Sequence, residues 1–186
     1  MQFVAHYLQD LSQTLAGLDM NAISQAISWL TEARDNGRMI YICGNGGSAS
    51  IAQQMVVDTV KGASYGFSPR FRMIGLTDSI STITAYANDV SYDCVFVEQL
   101  KNFAREGDIL IAISGSGNSR NVLSAVEYAN WIGCRTIALT QSLGGALKDL
   151  AQLTLPVPNT HMGRLEDCFF VMTHIIVYAF MERAAG

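Results

Sequence analysis

"YICGNGGSAS", residues 41–50, ends an apolar run in three glycines and then places two serines where a helix can begin. Glycines at a strand-to-helix turn let the backbone approach an anion closely. The helix that follows presents unpaired N–H groups at the positive end of its dipole. A second version, "DILIAISGSGNSRNV", spans residues 108–122, with Ser114, Ser116 and Ser119 ahead of a helix expected to begin near Asn118. Three hydroxyls on one loop are a concentrated set of neutral donors suited to a monoester phosphate. In open α/β sheets such loops lie beyond the carboxyl ends of the strands, where ligands bind.

Outward from these loops the chain reads as strands separated by segments of helical length. The expected strands are Arg38–Cys43, Phe71–Leu76, Asp108–Ser114 and Arg135–Thr140, with a weaker fifth at Gln152–Val157. They lack strict alternation, as strands covered on both faces do, which implies a parallel sheet with helices on each side. Val4, Leu8, Leu11, Leu15 and Leu18 form one apolar seam on an N-terminal helix, open to its own domain or to another subunit. A second helix is expected over Asn21–Asn36. A long one over Arg164–Arg183 is apolar on nearly every face, as suits a helix covered by neighbours.

The 186 residues suit one domain, 1–186. With 49% hydrophobic and 15% charged residues, part of the apolar surface is expected against partner subunits. A net charge of -4 without a Lys/Arg cluster argues against direct nucleic-acid binding. Cys43, Cys94, Cys134 and Cys168 are widely spaced, with no C-x-x-C pair and no secretory signal, so buried thiols in the cytoplasm are expected. The most apolar stretch, Cys168–Met181, is too short to span a bilayer, which argues against a membrane role.

"GNGGSA", Gly44–Ala49, formally fits the dinucleotide pattern, yet the segment about 20 residues on carries no acid to hold a ribose. Neither loop ends in the Gly-Lys-Ser/Thr of a mononucleotide P-loop. A phosphate compound other than a nucleotide fits better.

Together with "LTDSISTITAYANDVSYD" (residues 76–93), "IALTQSLGGAL" (residues 137–147) and a final helix bearing Glu166 and His174, the two loops make the chain resemble the sugar isomerase (SIS) domain family. Within it the likeness is to the phosphoheptose isomerases, which interconvert sedoheptulose 7-phosphate and a mannoheptose 7-phosphate for cell-surface polysaccharide. The resemblance implies a three-layer α/β/α sandwich with a five-stranded parallel sheet. It also implies a homotetramer with sites at subunit interfaces, to which helices over about 1–36 would contribute. By the same resemblance Ser114, Ser116 and Ser119 grip the phosphate, Asn45, Gly46, Gly47 and Ser48 line the pocket, and Asn88 and Asp89 border it.

At the reacting end the sequence departs from the family. There a His and a Glu four residues apart, with a Gln and a His eight apart on the last helix, hold zinc; here these positions are Gln54, Asp58, Glu166 and His174. Gln54 is a poor ligand beside imidazole, so the candidate metal ligands are Asp58, Glu166 and His174, and a weak or absent zinc site follows. Asp58 is a methylene shorter than Glu, and a misplacement of about 1 Å can cost about 100-fold in rate. Glu166 adds a carboxylate able to serve as a relocated base, and Gly115 stands where the isomerases usually have Thr. The catalytic candidates are therefore His174, Glu166 and Asp58, a carboxylate and imidazole set fit for aldose–ketose proton transfer. Two other readings stay open. One is a non-catalytic phosphosugar-binding regulator, including the relatives that associate with the replication initiator; the other is an enzyme for another sugar phosphate, such as a hexulose 6-phosphate.

Overall fold

The computed structural model describes residues 1–183. Two helices open the chain, α1 (Gln2–Ala16) and α2 (Met20–Asp35). Asp19 starts α2 by accepting hydrogen bonds from the Asn21 and Ala22 amides at 2.9 and 3.0 Å. Strand β1 (Met39–Gly44) follows, then α3 (Gly47–Val57), which runs on without a break into a π-helical turn, Asp58–Gly62. Next come β2 (Arg72–Gly75), α4 (Ile80–Asp89), a 3-10 turn (Tyr92–Cys94) and α5 (Val97–Phe103). The second half alternates β3 (Ile109–Ile113), α6 (Arg120–Trp131), β4 (Arg135–Gln141), α7 (Gly145–Leu150), β5 (Leu153–Val157) and α8 (Met162–Arg183).

The five strands form one sheet in the order β2-β1-β3-β4-β5, parallel throughout. All five expected strands are present, each end within one residue of the expectation. Side chains alternate across it: Ile40 and Ile42 of β1 face a layer made by α2, α3 and α8, whereas Tyr41 and Cys43 face α5, α6 and α7. Both faces are thus covered, which explains the nearly continuous apolar runs.

Three expectations need adjustment. The apolar seam of α1 divides: Leu11, Leu15 and Leu18 pack on the core, while Val4 and Leu8 are each 59% exposed. Helix α8 is not enclosed within the single chain, since Ile175 and Tyr178 are 45% exposed on the face that carries His174. Cys43, Cys134 and Cys168 are buried, but Cys94 is only partly so.

Candidate active site

The two glycine-serine loops leave adjacent strands, β1 and β3 pairing in register as far as Gly44 and Ile113. From there α3 turns to one face of the sheet and α6 to the other, as their core partners show. The strand order reverses direction between these two strands, so the loops border the crevice where ligands of such sheets sit.

A reciprocal amide pair locks the loops together. Asn45 Nδ2 donates to Asn121 Oδ1 and Asn121 Nδ2 donates to Asn45 Oδ1, each at 2.9 Å, and the Tyr92 hydroxyl adds a third bond to Asn45 Oδ1 at 2.9 Å. In the second loop the Ser114 and Ser119 hydroxyls share a hydrogen bond of 3.1 Å, and the Gly117 amide donates to Ser114 Oγ at 3.2 Å. Ser119 stands at the N-cap of α6 without using its hydroxyl as a cap, and Ser116 is exposed. At each helix start the first N–H groups have no intrahelical acceptor. The donors expected for a phosphate are therefore assembled by two loops braced against each other.

Helix α6 begins at Arg120 rather than near Asn118. Gly117 takes a φ of +68°, and the Asn118 side chain turns away to accept from the Ala146 amide at 3.1 Å, tying the loop to the start of α7. A methyl group on Gly117 would overlap the Gly144 carbonyl. Gly117→Ala therefore combines a left-handed backbone cost of about 1–2 kcal/mol with a clash against main chain. It is expected to weaken sugar-phosphate binding at least about tenfold, as calorimetric titration will show; unchanged affinity means the loop does not hold the phosphate.

The reacting side chains stand on α3 and α8. Gln54 Nε2 donates to Asp58 Oδ2 at 2.9 Å, and His174 Nε2 lies 3.6 Å from the same oxygen, an ion-pair distance once the imidazole is charged. Asp58 opens the π-helical turn, a widened turn of the kind often found at functional sites. His174 is flanked on α8 by Phe170 and Tyr178, with ring centroids at 6.3 and 6.0 Å. Glu166 lies about two turns earlier on α8, against the first loop, where its carboxylate fills the space a Cβ on Gly47 would occupy. Glycine at position 47 thus makes room for an acid beside the loop. Among the described residues no three His, Cys, Asp or Glu side chains gather as a metal cluster would require.

Of the expected site residues, the structure ties the loop of Asn45, Gly46, Gly47 and Ser48 to that of Ser114, Ser116 and Ser119 through Asn45 and Asn121, sets Glu166 beside Gly47, and sets Asp58 against His174. Asn88 and Asp89 are exposed at the end of α4 and bond to each other at 2.8 Å; Tyr92 reaches the loops from this segment instead. Sequence reasoning missed Asn121 and Thr140. Asn121 is 1% exposed, and a buried amide in the first turn of a helix is a signal that a partner exists, though the partner lies 76 positions away. The buried Thr140 hydroxyl, beneath Gly117, has no hydrogen-bond partner among the described residues.

Residues 3–141 match the family model of the SIS domain. The phosphoheptose isomerase of Chlorobium phaeobacteroides is 37% identical over 182 residues, covering 97% of this chain and 80% of its own. That of Helicobacter pylori is 38% identical over 176 residues, 94% of this chain and 90% of its own. Among solved structures, a phosphoheptose isomerase from Francisella tularensis superposes with a TM-score of 0.91 at 30% identity, over 97% of both chains.

Proposed function

Because the chain belongs to the SIS domain family, in its phosphoheptose isomerase-like branch, we propose that it is a phosphosugar isomerase converting sedoheptulose 7-phosphate into an aldoheptose 7-phosphate in the cytoplasm, for cell-surface polysaccharide. The observation that carries this reading is the approach of Asp58 to His174, with Glu166 on the same helix against Gly47 of the first glycine-serine loop.

The reaction moves one proton between adjacent carbons and exchanges a carbonyl with a hydroxyl. With the phosphate on the Ser114, Ser116 and Ser119 loop, Glu166 takes the proton from C1 of the ketose, leaving an enediolate, and returns it to C2. His174 passes a proton from the C1 hydroxyl to the C2 oxygen, and Asp58 stabilises the imidazolium formed on the way. Gln54 holds Asp58 in place through its amide.

Zinc, the cofactor the resemblance implies, does not suit this donor set. A catalytic zinc site needs three good ligands. Here Gln54 offers only a neutral amide oxygen in place of an imidazole, its nitrogen bonds Asp58, and the Glu166 carboxylate packs against Gly47 eight residues before His174. The chemistry written above uses no metal.

Subunit contacts complete the reading. Phe3, Val4 and Leu8 of α1, Val57 and Val60 on either side of Asp58, and Ile175 and Tyr178 near His174 are exposed apolar residues. We assign them to the interfaces of a homotetramer formed from one SIS domain per chain, residues 1–186, with its first helices contributing.

An NMR time course with sedoheptulose 7-phosphate tests both parts. A second heptose phosphate should appear at the same rate with chelator and with added zinc. Product formed only with zinc overturns the metal-free mechanism; binding without any product overturns the isomerase assignment and turns attention to a regulatory role.

A further inference from the structure

At the opposite end of the sheet, beside the first residues of β1 and β2 and the turn before β3, lies a cavity of about 340 Å³. This is about 15–20 Å from the loops at the carboxyl ends, the length of a strand of five or six residues. Three arginines line it: Arg38, Arg72 and Arg105. Among the described residues none of them meets a carboxylate in an ion pair, whereas Arg34, Arg135 and Arg164 each do. One terminal nitrogen of Arg38 donates to the Glu106 carbonyl at 3.1 Å and one of Arg72 to the Gly37 carbonyl at 2.9 Å. These bonds anchor the guanidinium groups and leave their other N–H groups free.

The acid in the lining, Asp108, is 5% exposed, and its two oxygens accept from the Met39 and Arg105 amides at 2.9 Å each. It offsets one positive charge of three and is occupied by the backbone. Tyr41 also reaches the cavity. The residue is 1% exposed and meets the open space where it lines the cavity. Burial first, then the nearby Asp108, raises the Tyr41 phenol to about 12, so it stays a neutral donor. On the open side the cavity has an apolar wall: Ile74 is 38% and Phe103 59% exposed.

We propose that this cavity is a second anion site, separate from the isomerase pocket, that takes a small phosphate monoester: the phosphate on Arg38, Arg72, Arg105 and the Tyr41 hydroxyl, the ring-bearing end on Ile74 and Phe103. Its size lies within the range of small-molecule sites, and planar guanidinium forks suit phosphate oxygens.

Calorimetric titration of the full chain with adenosine 5′-monophosphate, a phosphate monoester with a planar end, tests the site directly. Binding is expected, with inorganic phosphate competing. Arg72→Gln combined with Arg105→Gln should weaken it at least about tenfold while leaving heptose-phosphate turnover in the absence of nucleotide unchanged. Tyr41→Phe, a milder change that keeps the ring, should weaken it about three- to tenfold, which keeps the test decisive if the double variant does not fold. Ser116→Ala combined with Ser119→Ala should bind the nucleotide as the wild type does. Absence of binding at millimolar concentration, affinity unmoved by the arginine and tyrosine changes, or loss of binding in the serine variant overturns the site. The binding readouts do not depend on turnover, so failure of the isomerase assignment leaves them intact.

Discussion

Replacing His174 with alanine is expected to lower kcat by about 10²- to 10⁴-fold, the range supplied by a positioned acid–base group. Sugar-phosphate affinity should hardly change, because the phosphate is proposed to sit on Ser114, Ser116 and Ser119 in the loop between β3 and α6, whereas His174 stands on α8 beside Asp58. The side chain is 47% exposed in the single chain and its ring contacts are Phe170 and Tyr178, so truncation leaves no large core cavity. Stability should therefore stay near that of the wild type, and lost turnover will reflect chemistry rather than unfolding. Steady-state kinetics, calorimetric affinity and a denaturant midpoint on one preparation decide the matter. Turnover within about threefold of wild type would remove His174 from the mechanism, since that is far below the acid–base range.

Glu166→Gln is the second large effect. The amide has the shape of the carboxylate and fits the same space against Gly47, yet it cannot accept a carbon-bound proton. The expected loss in kcat is again about 10²-fold or more. A sharper signature separates it from His174: in deuterium oxide the wild type should wash label into C1 of the ketose, and Glu166→Gln should abolish that exchange. If exchange persists in Glu166→Gln and vanishes in Asp58→Asn, the carbon base is Asp58 and the roles assigned here exchange.

Much of this architecture was legible in the chain. Apolar runs bounded by glycine and serine placed the strands within a residue at each end, because strands covered on both faces cannot hide their composition. The same loops pointed to candidate phosphate donors, since serines and glycines at strand-to-helix turns act through their own backbone and side chains. Less visible were features set by tertiary geometry. Which residues of α1 pack is set by its neighbours: Leu11, Leu15 and Leu18 meet the core and Tyr7 reaches Asp167 of α8, while Val4 and Leu8 stay exposed. The π-helical turn that carries Asp58, and the burial of Asn121 against Asn45, arise from packing between elements distant in sequence. Asn88 and Asp89 drew attention by resemblance, whereas Tyr92, three residues on, makes the contact.

The reciprocal amide pair between Asn45 and Asn121 also bears on how such a pocket can change over generations. Each amide nitrogen donates to the other's oxygen, so replacing either residue by an apolar one leaves its partner's Nδ2 without an acceptor, while the remaining oxygen keeps the Tyr92 hydroxyl or the Val122 amide. The two substitutions are strongly non-additive: apart each is harmful, together they are tolerable if size is kept. Descent by single steps must then pass through a weakened intermediate, and the two loops are inherited as a coupled unit, free to diversify around the amides more easily than at them.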